Sequence, residues 1–296
     1  MMDLAERRGD GAAPAEPRKR LNAIGLASRS LMAIEVNWYV QKVTESIARR
    51  ARTRRQDFVT FNSQTTENIA CALPVFRERC DGILHMGFSI NPDAQEAFRE
   101  AGIPLVLVNG KGEAEGSAYV DIDNVRASQD LTSHLIELGH RRIGMFRGPD
   151  NDVANDRVVG FQQALQSAGL GPGMIFPCGY TMSHGEDAAR SLFELPKDER
   201  PTAIVCFNDL TALGALTVAS RLGIRIPSEL SVVGIDDLVE SSLSRPGLTT
   251  VRQLEVGEMA VDLLLDIIEG NRPMDYAQIV PHQLVIRGST APPSID

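Results

Sequence analysis

The sequence predicts an α/β chain folded as two doubly wound, parallel-sheet lobes with a cleft between them. Three observations point to this. Short apolar runs alternate with helical patterns along almost the whole chain, as buried parallel strands joined by right-handed crossovers do. The chain has 296 residues, and so many strands in that length divide better into two domains than into one sheet. The strand–helix pattern before residue 140 is also similar to the pattern after it.

Residues 1–20, MMDLAERRGDGAAPAEPRKR, are rich in Ala, Pro, Gly and charge and predict a disordered arm or linker remnant. Order begins with a strand-like run at 21–27. A helix follows from about 38, with Val40, Val43, Ile47 and Ala51 spaced three or four apart. Runs at 58–61, 83–86 and 104–109 read as strands. Helices over about 66–79 and 93–101 lie between them, the second closed by Gly102. The run 119–123 leads into a helix over 124–138 stopped by Gly139. Strands at 142–146 and 175–178 alternate with helices near 153–168 and 184–195. Runs 203–206 and 230–235 flank another helix. A short helix, a strand at 249–251, a helix over about 254–269 and a final strand run at 279–286 complete the pattern. The expected lobes are 21–140 with 253–279, and 141–252 with 280–296.

The formal net charge is −9. So acidic a chain is a poor nucleic-acid binder by itself, because phosphate contacts need a basic surface. Four cysteines, Cys71, Cys80, Cys178 and Cys206, form no C-x-x-C pair, which argues against a zinc knuckle or a thioredoxin-type motif and fits a reducing compartment. The amino terminus has no apolar stretch of a secretory signal, and no run approaches membrane-spanning length. A cytoplasmic location is the expectation.

The stretch 201–237 carries most of the chemistry. Its two apolar runs end in polar groups, Asn208-Asp209 after the first and Asp236-Asp237 after the second. Ligands of parallel sheets collect at the carboxyl ends of strands. An amide and carboxylates there accept hydrogen bonds from hydroxyls, so the pattern suggests binding of a polar, uncharged, polyhydroxylated molecule rather than chemistry on it. Adjacent Asp236 and Asp237 point to different sides, which disfavours an acid/base pair. One ligand-contacting carboxylate and one helix cap is the simpler reading.

Other motifs are weaker. The five histidines lack metal-ligand spacing, no Gly-x-Ser-x-Gly elbow occurs, and no metal, cofactor or catalytic residue is expected. Gly110-Lys111-Gly112 lacks the full phosphate-loop pattern and reads as a surface turn. The basic run from Arg49 to Arg55 reads as a solvated helix end, where cations suit the macrodipole, ahead of a nucleic-acid contact. Trp38, with Tyr39, begins the first helix and is either core or a stacking surface for a ligand. Arg157 lies in the first turns of a helix, where the dipole disfavours a cation. It therefore calls for a fixed partner or a ligand, with a surface ion pair as the plain alternative.

Several stretches together resemble the LacI/GalR family of bacterial transcription regulators. They are Leu138-Gly139-His140-Arg141-Arg142-Ile143-Gly144, Arg157-Val158-Val159-Gly160-Phe161, and Pro201-Thr202-Ala203-Ile204 through Asn208-Asp209. Further along come Gly223-Ile224-Arg225-Ile226-Pro227, Leu230-Ser231-Val232-Val233-Gly234-Ile235-Asp236-Asp237 and Pro246-Gly247-Leu248-Thr249-Thr250-Val251. The resemblance covers about residues 22–290, and its motifs are specific in their order and spacing. It implies a periplasmic-binding-protein-like fold of two lobes hinged by three crossovers. It also implies a homodimer with a small effector, often a sugar or nucleotide-like metabolite, in the cleft. By the same resemblance Arg157, Asn208 and Asp236 hold the effector, and Asp123 matches a further contact position. Trp38 and Tyr39 occupy the place of the family's Asn-Pro-Phe-Phe segment, and Tyr180 and Phe207 fall where pocket aromatics lie. His85 and Phe88 are lesser candidates. Trp38 in place of the usual proline implies a reshaped pocket floor.

The family's helix-turn-helix is not found in residues 1–20. The start is either truncated or the protein senses a ligand without binding DNA. Arg18-Lys19-Arg20-Leu21-Asn22-Ala23-Ile24-Gly25, which resembles the tail of the family's linker, favours truncation. Operator DNA would then be reached only through that missing module. A solute-binding protein of an importer, which shares the fold but would need an export signal, and a sugar-acting enzyme, which would need a nucleophile, metal or acid/base pair, are the rival expectations.

Overall fold

The computed structural model describes residues 19–28, 38–62, 69–87, 90, 92–112 and 116–294. The expected arm at 1–20 lies almost entirely outside these residues, and Phe88 lies outside them too.

Two six-stranded sheets organise the chain. The first contains β1 (Ala23–Ser28), β2 (Asp57–Asn62), β3 (Gly82–Met86), β4 (Leu105–Val108), β5 (Ala118–Ile122) and β11 (Ala277–Val280), in the order β11-β5-β4-β3-β1-β2. The second contains β6 (Ile143–Arg147), β7 (Met174–Pro177), β8 (Ala203–Cys206), β9 (Ser231–Ile235), β10 (Thr249–Gln253) and β12 (His282–Val285), in the order β12-β10-β9-β8-β6-β7. Pairing is parallel except for β12 against β10. The central strands are buried on both faces, which is why they read as unbroken apolar runs.

Helices cover both sheets. On the first lie α1 (Trp38–Thr53), α2 (Ile69–Arg79), α3 (Pro92–Glu100) and α9 (Val256–Ile268). On the second lie α4 (Asn124–Glu137), α5 (Asp152–Ser167), α6 (Met182–Glu194), α7 (Asp209–Arg221) and the short α8 (Val239–Leu243). The chain crosses between lobes three times among the described residues: between β5 and α4, between β10 and α9, and between β11 and β12.

Two sequence expectations change. The first lobe ends at β5, one element earlier than the expected boundary at 140, because α4 packs on α5 and on the second sheet. Gly160 makes that packing possible. A Cβ there would stand 2.0 Å from the Val125 carbonyl oxygen, so the two helices meet backbone to backbone. The single final strand expected at 279–286 is two strands in different sheets. Pro281 has no N–H to donate and interrupts the run where the chain changes lobe.

The basic run also has a definite structural role. Arg50 and Arg54 reach Asp262 of α9 at 2.6 and 3.0 Å, and Arg49 reaches Glu258 at 2.8 Å. The arginines bind α1 to α9 rather than forming a free basic surface. The Gly-His-Arg-Arg stretch is likewise structural. His140 is buried, with Nδ1 2.8 Å from the Thr202 hydroxyl and Nε2 near the Ser231 hydroxyl and the Ala291 carbonyl. It knots the β6 entry to β8, β9 and the carboxyl-terminal tail.

Candidate effector site between the lobes

The carboxyl ends of the second sheet's strands lead into helix N-termini. Asn151, Thr181 and Asn208 cap α5, α6 and α7 with their side chains. Exposed Asp123 caps α4 by accepting from the Arg126 N–H at 2.9 Å. Backbone N–H groups therefore point at the edge where the lobes meet.

Arg157, from the second turn of α5, is 5% exposed at this edge. Its Nε donates to Asn124 Oδ1 at 2.9 Å, Nη1 donates to the Phe207 carbonyl, and the guanidinium lies 4.7 Å from the Phe207 ring centroid. The fixed partner that the sequence called for is thus a set of neutral acceptors and a ring. Burial lowers the Arg157 pKa, while Asp236 and Asp121 oppose that shift.

Asp236 is 3% exposed and adopts φ 131°, and Asp237 adopts φ 48°. Two successive non-glycine residues in this region cost about 1–3 kcal/mol each and gather at functional sites. Asp236 Oδ1 accepts from Gln253 Nε2 at 2.8 Å. Burial, reinforced by the Asp209 carboxylate, pushes the Asp236 pKa to about 8 against the pull of Arg157 and Lys42. Asp209 is fully buried and receives Leu238 N–H at 2.9 Å, Ser241 Oγ at 2.6 Å and Thr250 Oγ1 at 2.5 Å. It pins the loop that displays Asp236. The helix cap expected of one member of the Asp236-Asp237 pair is not found. The Asp237 carboxylate pairs with Arg287 and with Arg252 at 2.5 Å, and α8 starts at Leu238 without a side-chain cap. Burial works against the Asp237 charge, but Arg287 and Arg252 win and hold its pKa below the usual value.

Asn208 is committed at both ends. Its Oδ1 accepts from Thr211 N–H at 2.9 Å and its Nδ2 donates to the Tyr180 carbonyl at 3.0 Å. The Tyr180 side chain packs with buried Phe207, Val153 and Ala154.

The first lobe contributes Tyr39, whose hydroxyl donates to Gln253 Oε1 at 2.9 Å. Burial, with Asp236 and Asp121 adding, raises its pKa well above the usual value, so the phenol stays protonated. Lys42, one turn along α1, donates to the carbonyls of Asp236 at 2.6 Å and Asp237 at 3.1 Å. Lys111 ties the opposite rim: its N–H meets Asp152 at 2.7 Å and its ammonium meets Asp156 at 2.6 Å. The Gly110-Lys111-Gly112 turn is an interlobe tie.

The structure brings Arg157, Asn208, Asp236, Tyr39, Tyr180 and Phe207 to one region. It places two candidates differently. Trp38 packs against the apolar cluster of the second lobe and lines a groove with Leu213, Leu216 and Leu243. Asp123 is solvent-exposed, while its neighbours Asp121 and Asn124 are buried and reach the Arg157 cluster. His85 is buried in β3. Sequence reasoning missed Asp121, Asn124, Gln253, Lys42 and Asn109. Strand alternation could have found Asp121, because Val120 and Ile122 belong to the core beneath α9 while Tyr119 and Asp121 take the other face. Asn109, at φ 62°, brings its buried amide to Tyr39.

The two-lobed architecture with polar groups gathered at the strand ends defines a ligand-binding-protein class. Residues 132–290 match the family profile described as a periplasmic binding protein-like domain. The repressor CytR of Escherichia coli is 34% identical over 221 residues, 73% of this chain and 64% of that protein. The regulator MalR of Streptomyces coelicolor is 35% identical over 218 residues, 70% of this chain and 62% of that one. The matched region thus spans less than two thirds of these relatives. A complex of the transcriptional regulator CelR with cellobiose superposes with a TM-score of 0.80 at 27% identity, covering 92% of this chain and 86% of that one. A LacI family regulator from Mycobacterium smegmatis gives 0.77 at 28% identity, covering 92% and 100%. The chain belongs to the periplasmic binding protein-like family and carries the core fold of its LacI-type regulators.

Proposed function

We propose that this chain is the effector-binding and dimerisation core of a cytoplasmic LacI-type transcription regulator, with a binding rather than a catalytic role. The observation that supports it best is the gathering of buried Arg157 and buried, strained Asp236 where the two lobes meet. A small polyhydroxylated metabolite, probed first as a sugar, sits between the lobes. Its hydroxyls pair with Arg157, Asn208 and Asp236. Tyr39, Tyr180 and Phe207 supply ring surface. The similar CelR structure holds cellobiose, which supports a sugar-type ligand.

Binding shifts the lobes through the ties that join them: Tyr39 to Gln253, Lys42 to the Asp236 and Asp237 carbonyls, and Lys111 to Asp152 and Asp156. The shift goes only as far as ligand affinity differs between the two arrangements. In a homodimer it re-spaces paired DNA-reading heads of the helix-turn-helix type named for the relatives. Exposed Val239 and Leu243 on α8, at 69% and 67%, offer apolar surface for the dimer. A thermal-shift screen of sugars, polyols and nucleosides, followed by calorimetry, tests the proposal. The hit binds the parent chain and is lost in Arg157→Ala and Asp236→Ala. Unchanged affinity in both variants refutes the site.

A further inference from the structure

The candidate site carries more acid than base. Asp121, Asp209 and Asp236 are 2%, 0% and 3% exposed. Arg157 and Lys42 are the cations acting on Asp236, and the Lys111 ammonium near Asp121 is bound to Asp156. Asp121 is not neutralised by direct contact with Arg157. The Asn124 amide stands between them, donating Nδ2 to Asp121 Oδ2 at 3.0 Å and accepting Arg157 Nε at 2.9 Å.

The guanidinium is also poorly arranged for an anion. Tight binding of phosphate or carboxylate uses two parallel N–H groups along one edge of the fork. Here Nε is committed to Asn124 and Nη1 to the Phe207 carbonyl, so each edge already spends a donor. A single hydroxyl needs only one donor, and Nη2 makes no protein hydrogen bond among those described.

We infer that this site selects an uncharged ligand over its phosphorylated or carboxylated counterpart, and that Asp121 is a specificity-determining residue for that selection. An anion entering here loses its hydration beside the Asp121 and Asp236 carboxyl groups and cannot recover it in a bidentate clasp. Burial pushes the Asp121 pKa to about 7, partly offset by the Ile122 N–H and by Arg157. A neighbouring anion therefore forces either repulsion or proton uptake. The inference rests on the cleft reading above and deepens it by naming the charge class of the ligand.

Calorimetry with matched pairs tests it: ribose against ribose 5-phosphate, glucose against glucose 6-phosphate, and cytidine against cytidine 5′-monophosphate. For any pair that binds, the neutral member binds the parent chain roughly a hundredfold more tightly or better, and Asp121→Asn narrows the ratio by about tenfold. The substitution is isosteric, so recovery of the phosphorylated member reports charge rather than room. Asp121→Glu, which keeps the charge, keeps the ratio. If Asp121→Asn does not fold, Asp121→Ser takes its place. Phosphorylated members binding as tightly as the neutral ones overturn the inference alone, as does an unchanged ratio in the uncharged variant. If no member of any pair binds, this inference falls with the cleft reading.

Discussion

The second sheet has two charged edges, and they treat charge in opposite ways. At the amino edge Arg200 donates to the carbonyls of Phe193 at 2.5 Å and Leu195 at 2.6 Å, closing the end of α6. Arg141 donates to the Ile136 carbonyl near the end of α4. Cations meet the negative ends of helices there, and buried His140 has partners on both ring nitrogens. A groove of about 640 Å³ lies at this edge, lined by Arg142, Ile224, Pro227 and Pro293 among others. At the carboxyl edge buried Asp209 and Asp236, with Asp121 of the first sheet opposite, act on Arg157, and two consecutive aspartates hold unfavourable backbone angles. Cavity size alone would choose the amino edge. Electrostatics chooses the carboxyl edge, because there buried Arg157, Asp121, Asp209 and Asp236 are held by hydrogen bonds to neutral groups and none is closed into an ion pair among the described residues.

The largest expected difference comes from Arg157→Ala. Affinity for the screened ligand should fall at least about a hundredfold, since a charge-assisted bond to the ligand is lost and the buried Asn124 and Phe207 acceptors are left unpaired. Calorimetry reads this directly. On the amino edge His140→Ala should cost about 2–3 kcal/mol of unfolding free energy, because it orphans buried groups on Thr202 and Ser231. Urea titration measures that loss, and ligand affinity should not change. If His140→Ala weakens binding as much as Arg157→Ala does, the two edges are not separate.

The edges should also answer pH oppositely. The Asp236 pKa is raised from 3.8 to about 8 on folding, so the folded state holds the extra proton. Its contribution is complete below pH 3.8 and is lost as pH climbs toward 8 and beyond. Asp236→Asn should therefore gain stability relative to the parent as pH rises across that window. His140 is lowered below its usual 6.5 by burial. Its contribution is present above 6.5 and fades as pH falls. Thermal melts of parent and variants across pH resolve both slopes. The smallest effect is Arg200→Ala, about 1 kcal/mol from two lost bonds to helix-end carbonyls, with ligand binding untouched.

Much of this was legible in the residues. Apolar runs such as 203–206 and 231–235 are unbroken because both faces of a parallel strand are covered. Their polar ends are Asn208 and Asp236, so the sequence alone points to both. The lobe boundary was less legible, because α4 follows a first-lobe strand in sequence yet packs on α5 through Gly160. The family resemblance implies Asp123, an exposed cap of α4, whereas the buried acid at this edge is Asp121, two residues earlier in β5. Gln253 and Lys42 carry no local signal. Their role depends on which lobe edge swings over them, and that is set by contacts more than 190 residues apart.

A crystal structure of the chain with the first screened ligand decides most directly between the edges. The ligand should lie between the lobes, with oxygen atoms within hydrogen-bonding distance of Arg157 Nη2 and the Asp236 carboxyl. Density for it in the amino-edge groove beside Arg142 and Ile224, with the interlobe edge empty, would contradict the assignment.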